Sequence, residues 1–137
     1  MRFVDTNVLL YAVSNLADEA GKRRIAIELL GEPDLVVSVQ VLQEFYFQAT
    51  HPSRTVKMSH EDALRFLEPV FTLPIQAITL DVFHSAVIFS NRFGISYSDG
   101  AILAAARASG CDTVLSEDLS AEQDYDGLRV ANPFSGA

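Results

Sequence analysis

A single cysteine, Cys111, occurs among 137 residues, so no disulfide can form within the chain. Its apolar neighbours suit a small core residue, and no histidine context supports a catalytic thiol. Long apolar runs are missing too: nothing approaches the ~20 residues that a membrane span requires. The chain opens on the strand-like Arg2-Phe3-Val4 rather than a charged leader with a long apolar segment, which predicts a cytoplasmic protein. Basic residues are scarce. Ten Lys and Arg against eighteen Asp and Glu leave a formal charge of −8, the wrong sign for a protein that grips a polyanion by charge alone. The three histidines, His51, His60 and His84, lack metal-ligand spacing, and the sequence contains no internal repeat, low-complexity tract or long linker. A hydrophobic content of 49% over this length fits one domain spanning residues 1–137.

What is present is an alternation of short β-branched runs with helical periodicity. Strands are predicted at 3–4, 35–37, 77–79, 113–115 and 128–130. Helices are predicted at 8–12, 18–30, 39–49, from Ser59 onward, at 80–93 closed by Gly94, and at 96–109 closed by Gly110. Ser59 with Asp62 resembles a capping box. Strands alternating with helices imply right-handed crossovers and a mostly parallel sheet covered on both faces. Sites in such sheets form outside the carboxyl ends of the strands, where the strand order reverses.

Four acids stand where carboxylates are costly. Asp5 follows Phe3-Val4 at a strand end, with N-cap of the first helix as its structural alternative. Glu44 is surrounded by apolar residues on its helix, although a solvated face is the usual fate of a glutamate. Asp99, Ile102, Leu103 and Ala106 fall at i, i+3, i+4 and i+7, which puts a carboxylate on an apolar stripe unless it merely caps with Ser96. Asp118 lies beyond the fourth strand, with Glu117 as a rival for the same role. No basic residue adjoins any of these acids in an obvious pairing. A shared site would repel itself by ~4 kcal/mol per close pair at an effective dielectric of ~20, and divalent cations reverse that sign. Oxygen donors suit Mg²⁺ or Mn²⁺, one ion or two, and such ions support hydrolysis of a phosphodiester by metal-activated water.

Several stretches carry a resemblance: Phe3-Val4-Asp5-Thr6-Asn7-Val8-Leu9-Leu10-Tyr11-Ala12, then Glu44, then Ile95-Ser96-Tyr97-Ser98-Asp99-Gly100-Ala101-Ile102, then Leu115-Ser116-Glu117-Asp118, then Val130-Ala131-Asn132-Pro133-Phe134. In order and spacing they resemble the PIN-domain nucleases, particularly VapC-type toxins of toxin–antitoxin pairs. The resemblance implies a three-layer α/β/α sandwich whose sheet has the order 3-2-1-4-5. It implies that Asp5, Glu44, Asp99 and Asp118 are the catalytic and metal-holding acids, supported by Thr6, Asn7 and Ser116. It further implies cleavage of RNA, a homodimer, and a larger assembly with a VapB-type antitoxin whose tail occupies the acidic groove. Gly100 stands where alanine is more usual, which puts the local helix start in question. Lys22, Arg23 and Arg24 are candidates for RNA phosphate contact, against the plainer reading of a solvated helix face. Two other readings compete: a phosphatase with Asp5 as nucleophile, and a non-catalytic PIN-like domain that only binds an antitoxin. Against the phosphatase, Asn7 occupies the place where such enzymes want a second acid.

Overall fold

A computed structural model describes residues 1–121 and 123–136; residues 122 and 137, which the one-domain expectation includes, lie outside the description. Five strands form one sheet: β1 (Arg2–Val4), β2 (Leu35–Ser38), β3 (Ile75–Gln76), β4 (Thr113–Leu115) and β5 (Arg129–Ala131). All neighbours are parallel and the order is β3-β2-β1-β4-β5, as the resemblance implied. Six α-helices connect them: α1 (Thr6–Ala12), α2 (Ala20–Leu30), α3 (Val39–Ala49), α4 (His60–Leu67), α5 (Leu80–Phe93) and α6 (Tyr97–Ala108). Single 3₁₀ turns precede α2, at Ala17–Glu19, and follow α4, at Val70–Thr72.

Consecutive strand residues point to opposite faces, so the full burial of both Phe3 and Val4, and of both Val36 and Val37, shows that helices cover the sheet on two sides. α1 packs with α2 and α3, while α6 lies against β2, β3 and β4 and packs along α5. Helix faces follow the same logic. Phe45 is wholly buried, whereas Tyr46 and Phe47 point outward, because three successive helical residues cannot face one core. Among the described residues no helix is long and apolar enough to cross a membrane.

The sequence expectation moves most at the third strand. The third strand is not 77–79 but Ile75–Gln76, paired with Val37 and Ser38. Thr79 is taken by the next helix: its hydroxyl accepts the Val82 N–H at 3.1 Å, which draws the segment out of the sheet as an N-cap. Pro74 still contributes through its carbonyl, which accepts the Val37 N–H, and an edge position tolerates its missing donor. The first helix begins at Thr6 rather than Val8, and the fifth strand is displaced by one residue.

Gly100 has a packing reason. A Cβ there would stand 2.6 Å from the Ala86 carbonyl oxygen and 3.1 Å from the Ser90 nitrogen, so α5 and α6 meet backbone to backbone. The helix start is sound despite the missing alanine: Ser96 caps α6 and accepts the Asp99 N–H at 3.1 Å.

This topology places the site. From β1 the chain lays β2 and β3 to one side, then returns to lay β4 and β5 on the other. The order therefore reverses between β1 and β4, and their carboxyl ends open onto Asp5 and Ser116. At the opposite end of the sheet, Arg2 pairs with Asp34 at 2.6 Å and with Glu32, well away from that edge.

Candidate active site

Asp5 is where β1 becomes α1. It occupies the N-cap position, and its Oδ1 accepts the Thr6 N–H at 2.7 Å, so the structural alternative, the N-cap of the first helix, is realised. Its Oδ2 accepts the Ser116 hydroxyl at 2.7 Å across the β1–β4 gap. The residue is only 5% exposed. Burial pushes its carboxyl up to about 6, against the lowering effect of the Ser116 and Thr6 bonds, and the charges of Asp118 and Glu44 push the same way as burial.

Glu44 is half-buried on α3, aimed by three donors. Its Oε2 accepts the Thr6 hydroxyl at 3.0 Å, and its Oε1 accepts the Gln40 amide at 2.7 Å and the Ser98 hydroxyl at 3.1 Å. Thr6 therefore ties α1 to α3, while Ser98 ties α6 to α3. Asp99, half-buried in the first turn of α6, is raised by desolvation, with Ser96 lowering it and the charges of Asp118 and Glu44 raising it further. Asp118 is exposed, but its backbone is not free: Ser116 Oγ accepts the N–H groups of Asp118 at 3.1 Å and Leu119 at 3.3 Å.

Both Asp5 and Asp99 thus feel the charges of Glu44 and Asp118, and the four carboxylates belong to one electrostatic neighbourhood. Among the described residues, however, no three His, Cys, Asp or Glu side chains stand close enough together to hold one metal ion. The donor chemistry fits a hard cation all the same. Every acid offers oxygen, and Mg²⁺ keeps several of its own waters, so it needs only one or two protein carboxylates. Asn7 adds a second sign: both polar atoms of its side-chain amide are buried without a hydrogen-bond partner, two residues from Asp5.

Other expected residues separate clearly. Glu117, the rival of Asp118, is engaged elsewhere: Lys22 reaches it at 2.6 Å and the Tyr11 hydroxyl donates to it. Desolvation opposes its ionisation, but Lys22 and Tyr11 hold its carboxyl below the ordinary range. Lys22 is accordingly committed within the fold, while Arg23 and Arg24 are exposed and line a surface groove of about 510 Å³. Two further hollows flank the acids. One of about 320 Å³ is lined by Gln40, Glu44, Ile78, Phe83, Tyr97 and Ser98, and another of about 280 Å³ by residues including Asn7, Tyr11, Leu16, Arg54 and Val56.

Sequence reasoning missed Gln40, Ser98 and Tyr11. Gln40 was accessible, since it stands four residues before Glu44 on one helix face. Ser98 and Tyr11 meet their partners only through the fold, 54 and 106 residues away in the chain.

Comparison with known proteins settles the kinship. The PIN domain family profile matches residues 2–123. The chain belongs to the PIN domain family. Its PIN fold is similar to that of a toxin–antitoxin complex from Klebsiella pneumoniae, with a TM-score of 0.71, 20% identity and 98% of each chain covered. It is also similar to Mycobacterium tuberculosis VapC20, a sarcin–ricin loop cleaving toxin, with a TM-score of 0.66, 18% identity and coverage of 86% of this chain and 90% of that one. FitAcB from Neisseria gonorrhoeae gives a TM-score of 0.64 at 17% identity, over 97% and 98% of the two chains. At these identities the likeness is one of fold. No curated protein matches the sequence.

Proposed function

We propose that this PIN domain is a metal-dependent endoribonuclease and the toxin of a VapBC-type toxin–antitoxin pair. The observation that carries the reading is the Asp5 carboxylate, buried at the topological switch point, bonded to Ser116 across the β1–β4 gap and crowded by the charges of Glu44 and Asp118. A group held this way is expensive unless a cation or proton offsets it. The relatives support the biological setting, since one is a toxin–antitoxin complex and another cleaves the sarcin–ricin loop.

Asp5, Glu44, Asp99 and Asp118 would hold Mg²⁺ or Mn²⁺, one ion or two. When bound, such an ion supplies Lewis acidity at the scissile phosphate and makes an attacking water more acidic. The chain's own residues orient that chemistry. Ser116 fixes the rotamer of Asp5, Thr6 and Gln40 fix Glu44, and Ser96 anchors the turn that carries Asp99. Asn7 offers a buried donor and acceptor to waters or ligand beside them.

The phosphatase alternative is weaker. Both carboxylate oxygens of Asp5 already accept hydrogen bonds, which blunts them as nucleophiles, and Asn7 cannot serve as the second acid. The non-catalytic alternative draws on the absence, among the described residues, of three acids within reach of one ion. Metal titration separates them: an antitoxin-binding domain without chemistry takes up neither Mg²⁺ nor Mn²⁺.

The decisive experiment is to induce wild type and Asp5→Ala in cells and map cleavage sites across total RNA. Discrete new 5′ ends with the wild type alone support the reading. Identical RNA in the two strains overturns it. As the toxin of such a pair, the chain would work as a homodimer in the cytoplasm and be held in check by an antitoxin whose tail enters the acidic groove; co-purification with the product of an adjoining gene tests that partner.

A further inference from the structure

Glu117 sits between two residues of the acid site, Ser116 and Asp118, yet its side chain turns to two different helices. Lys22 of α2 donates to its Oε2 at 2.6 Å, and the Tyr11 hydroxyl of α1 donates to its Oε1. The contacts interlock. The Lys22 ammonium also donates to the Tyr11 hydroxyl at 3.2 Å and lies 4.8 Å from the centre of the Tyr11 ring. That ring meets Phe134 edge-on, with centroids 4.8 Å apart. Lys22 and Glu117 are about 30% and 26% exposed, so water screens the pair less than a fully solvated one.

We propose that Lys22, Tyr11 and Glu117 form a clamp that fixes the loop after β4, and with it the carboxylate of Asp118, relative to Asp5 at the junction of β1 and α1. They are positioning residues for the acid site. Ser116 restrains the backbone of Asp118 through one hydroxyl, while among the described residues the exposed Asp118 side chain has no comparable anchor of its own. Glu117 supplies the second fixed point, one residue away, and two fixed points set a direction where one sets only a location. The clamp also answers a charge problem: Lys22 cancels Glu117, so a fifth carboxylate beside the site neither adds net charge nor competes for the cation. The inference rests on the proposed reading in one respect, that Asp118 helps to hold a divalent ion.

The test titrates Mn²⁺ into wild type, Glu117→Gln, Lys22→Met and the charge-reversed pair Lys22→Glu/Glu117→Lys, following free Mn²⁺ by electron paramagnetic resonance. Thermal unfolding and the KM for a cleavable RNA are measured alongside. The clamp predicts that each single variant weakens Mn²⁺ binding roughly tenfold, in line with outer-shell partners of metal ligands, and lowers kcat with KM for RNA unchanged. The reversed pair restores much of the affinity. Tyr11→Phe keeps the ring and deletes one oxygen, gives a smaller loss in the same direction, and carries the comparison where a charge variant fails to fold. Affinity equal to wild type in every folded variant overturns the clamp. So does weaker binding by Glu117→Gln beside unchanged or tighter binding by Lys22→Met, which would make Glu117 itself a ligand. A raised KM in Lys22→Met with unchanged Mn²⁺ affinity would make Lys22 an RNA contact instead. Failure of the wild type to bind Mn²⁺ overturns the nuclease reading and the clamp together, whereas the other contrary results leave that reading standing.

Discussion

The Ser116 hydroxyl donates to Asp5 Oδ2 at 2.7 Å, joining residues 111 positions apart at the point where the sheet order reverses. The same oxygen accepts the N–H groups of Asp118 and Leu119, so one side chain coordinates two acids. Ser116→Ala leaves a buried carboxylate oxygen and two amides short of a partner, at a cost of about 1–3 kcal/mol. The hydroxyl also lowers Asp5, so its loss moves the Asp5 titration upward. Metal affinity in this variant falls more at pH 6 than at pH 8, measurable by Mn²⁺ titration at both values; a uniform loss would contradict the assigned role.

Asp5 governs the acid limb of stability in the metal-free protein. Its carboxyl lies at about 6 in the fold against 3.8 for an unperturbed group, so the folded state binds the proton more tightly than the unfolded chain. Stability from this group is therefore greatest below about pH 4 and declines as pH rises towards 6, by about 3 kcal/mol in all. Asp5→Asn does not titrate. Urea unfolding in EDTA should show the stability difference between Asp5→Asn and wild type growing in favour of the variant across that window. A pH-independent difference would sink the claim.

If the acids hold a cation as proposed, its uptake competes with that proton. Below about pH 6 the protonated fraction of Asp5 rises, and the apparent Mn²⁺ affinity falls by up to tenfold per pH unit. Calorimetric titrations in two buffers of different ionisation enthalpy should reveal about half a proton released from Asp5 on binding at pH 6 and almost none at pH 8.

Asp99→Asn separates chemistry from stability. The carboxyl is raised by desolvation and by the charges of Asp118 and Glu44, so removing its charge relieves repulsion. Cleavage is lost while the melting temperature in EDTA rises. Unchanged ribonuclease activity refutes its catalytic assignment. If water is the nucleophile, products of the wild type carry 5′-phosphate and 3′-hydroxyl ends; 2′,3′-cyclic phosphate would instead indicate attack by the RNA's own 2′-hydroxyl.

Gly100→Ala runs against helix propensity. Alanine is intrinsically favoured in a helix by ~1 kcal/mol, yet here its Cβ would lie 2.6 Å from the Ala86 carbonyl oxygen. The helices must separate, and the net effect is a destabilisation of about 1–3 kcal/mol, readable by denaturant unfolding. A more stable variant would show that α5 and α6 can part freely.

The sheet order was legible once the chain's resemblance was recognised, and 39–49 and 80–93 were bounded correctly, with Gly94 marking the end of the second; Ser38 and Thr79 cap their starts in the structure. Gly94 adopts φ 63°, which favours a glycine. The third strand was misplaced because β-branched Ile78 and Thr79 read as strand formers, while capping by Thr79 won. At the candidate site, helical periodicity singled out Asp99, but nothing local distinguished Glu117 from Asp118. That distinction needs Lys22 and Tyr11, which arrive from other helices. Thr6 was expected as a supporting residue, but that its hydroxyl serves Glu44, and that Ser98 does too, was beyond reach, and only the four-residue spacing of Gln40 was readable.

The backbone contact at Gly100 welds α5 to α6, so Asp99 rides on a stiff two-helix plate. Asp5 and Glu44 ride instead with α1 and α3, linked by Thr6. Charge spacing in this molecule is therefore a property of how two slabs seat on a common sheet, and drift among remote interior residues can retune it without replacing a single carboxylate.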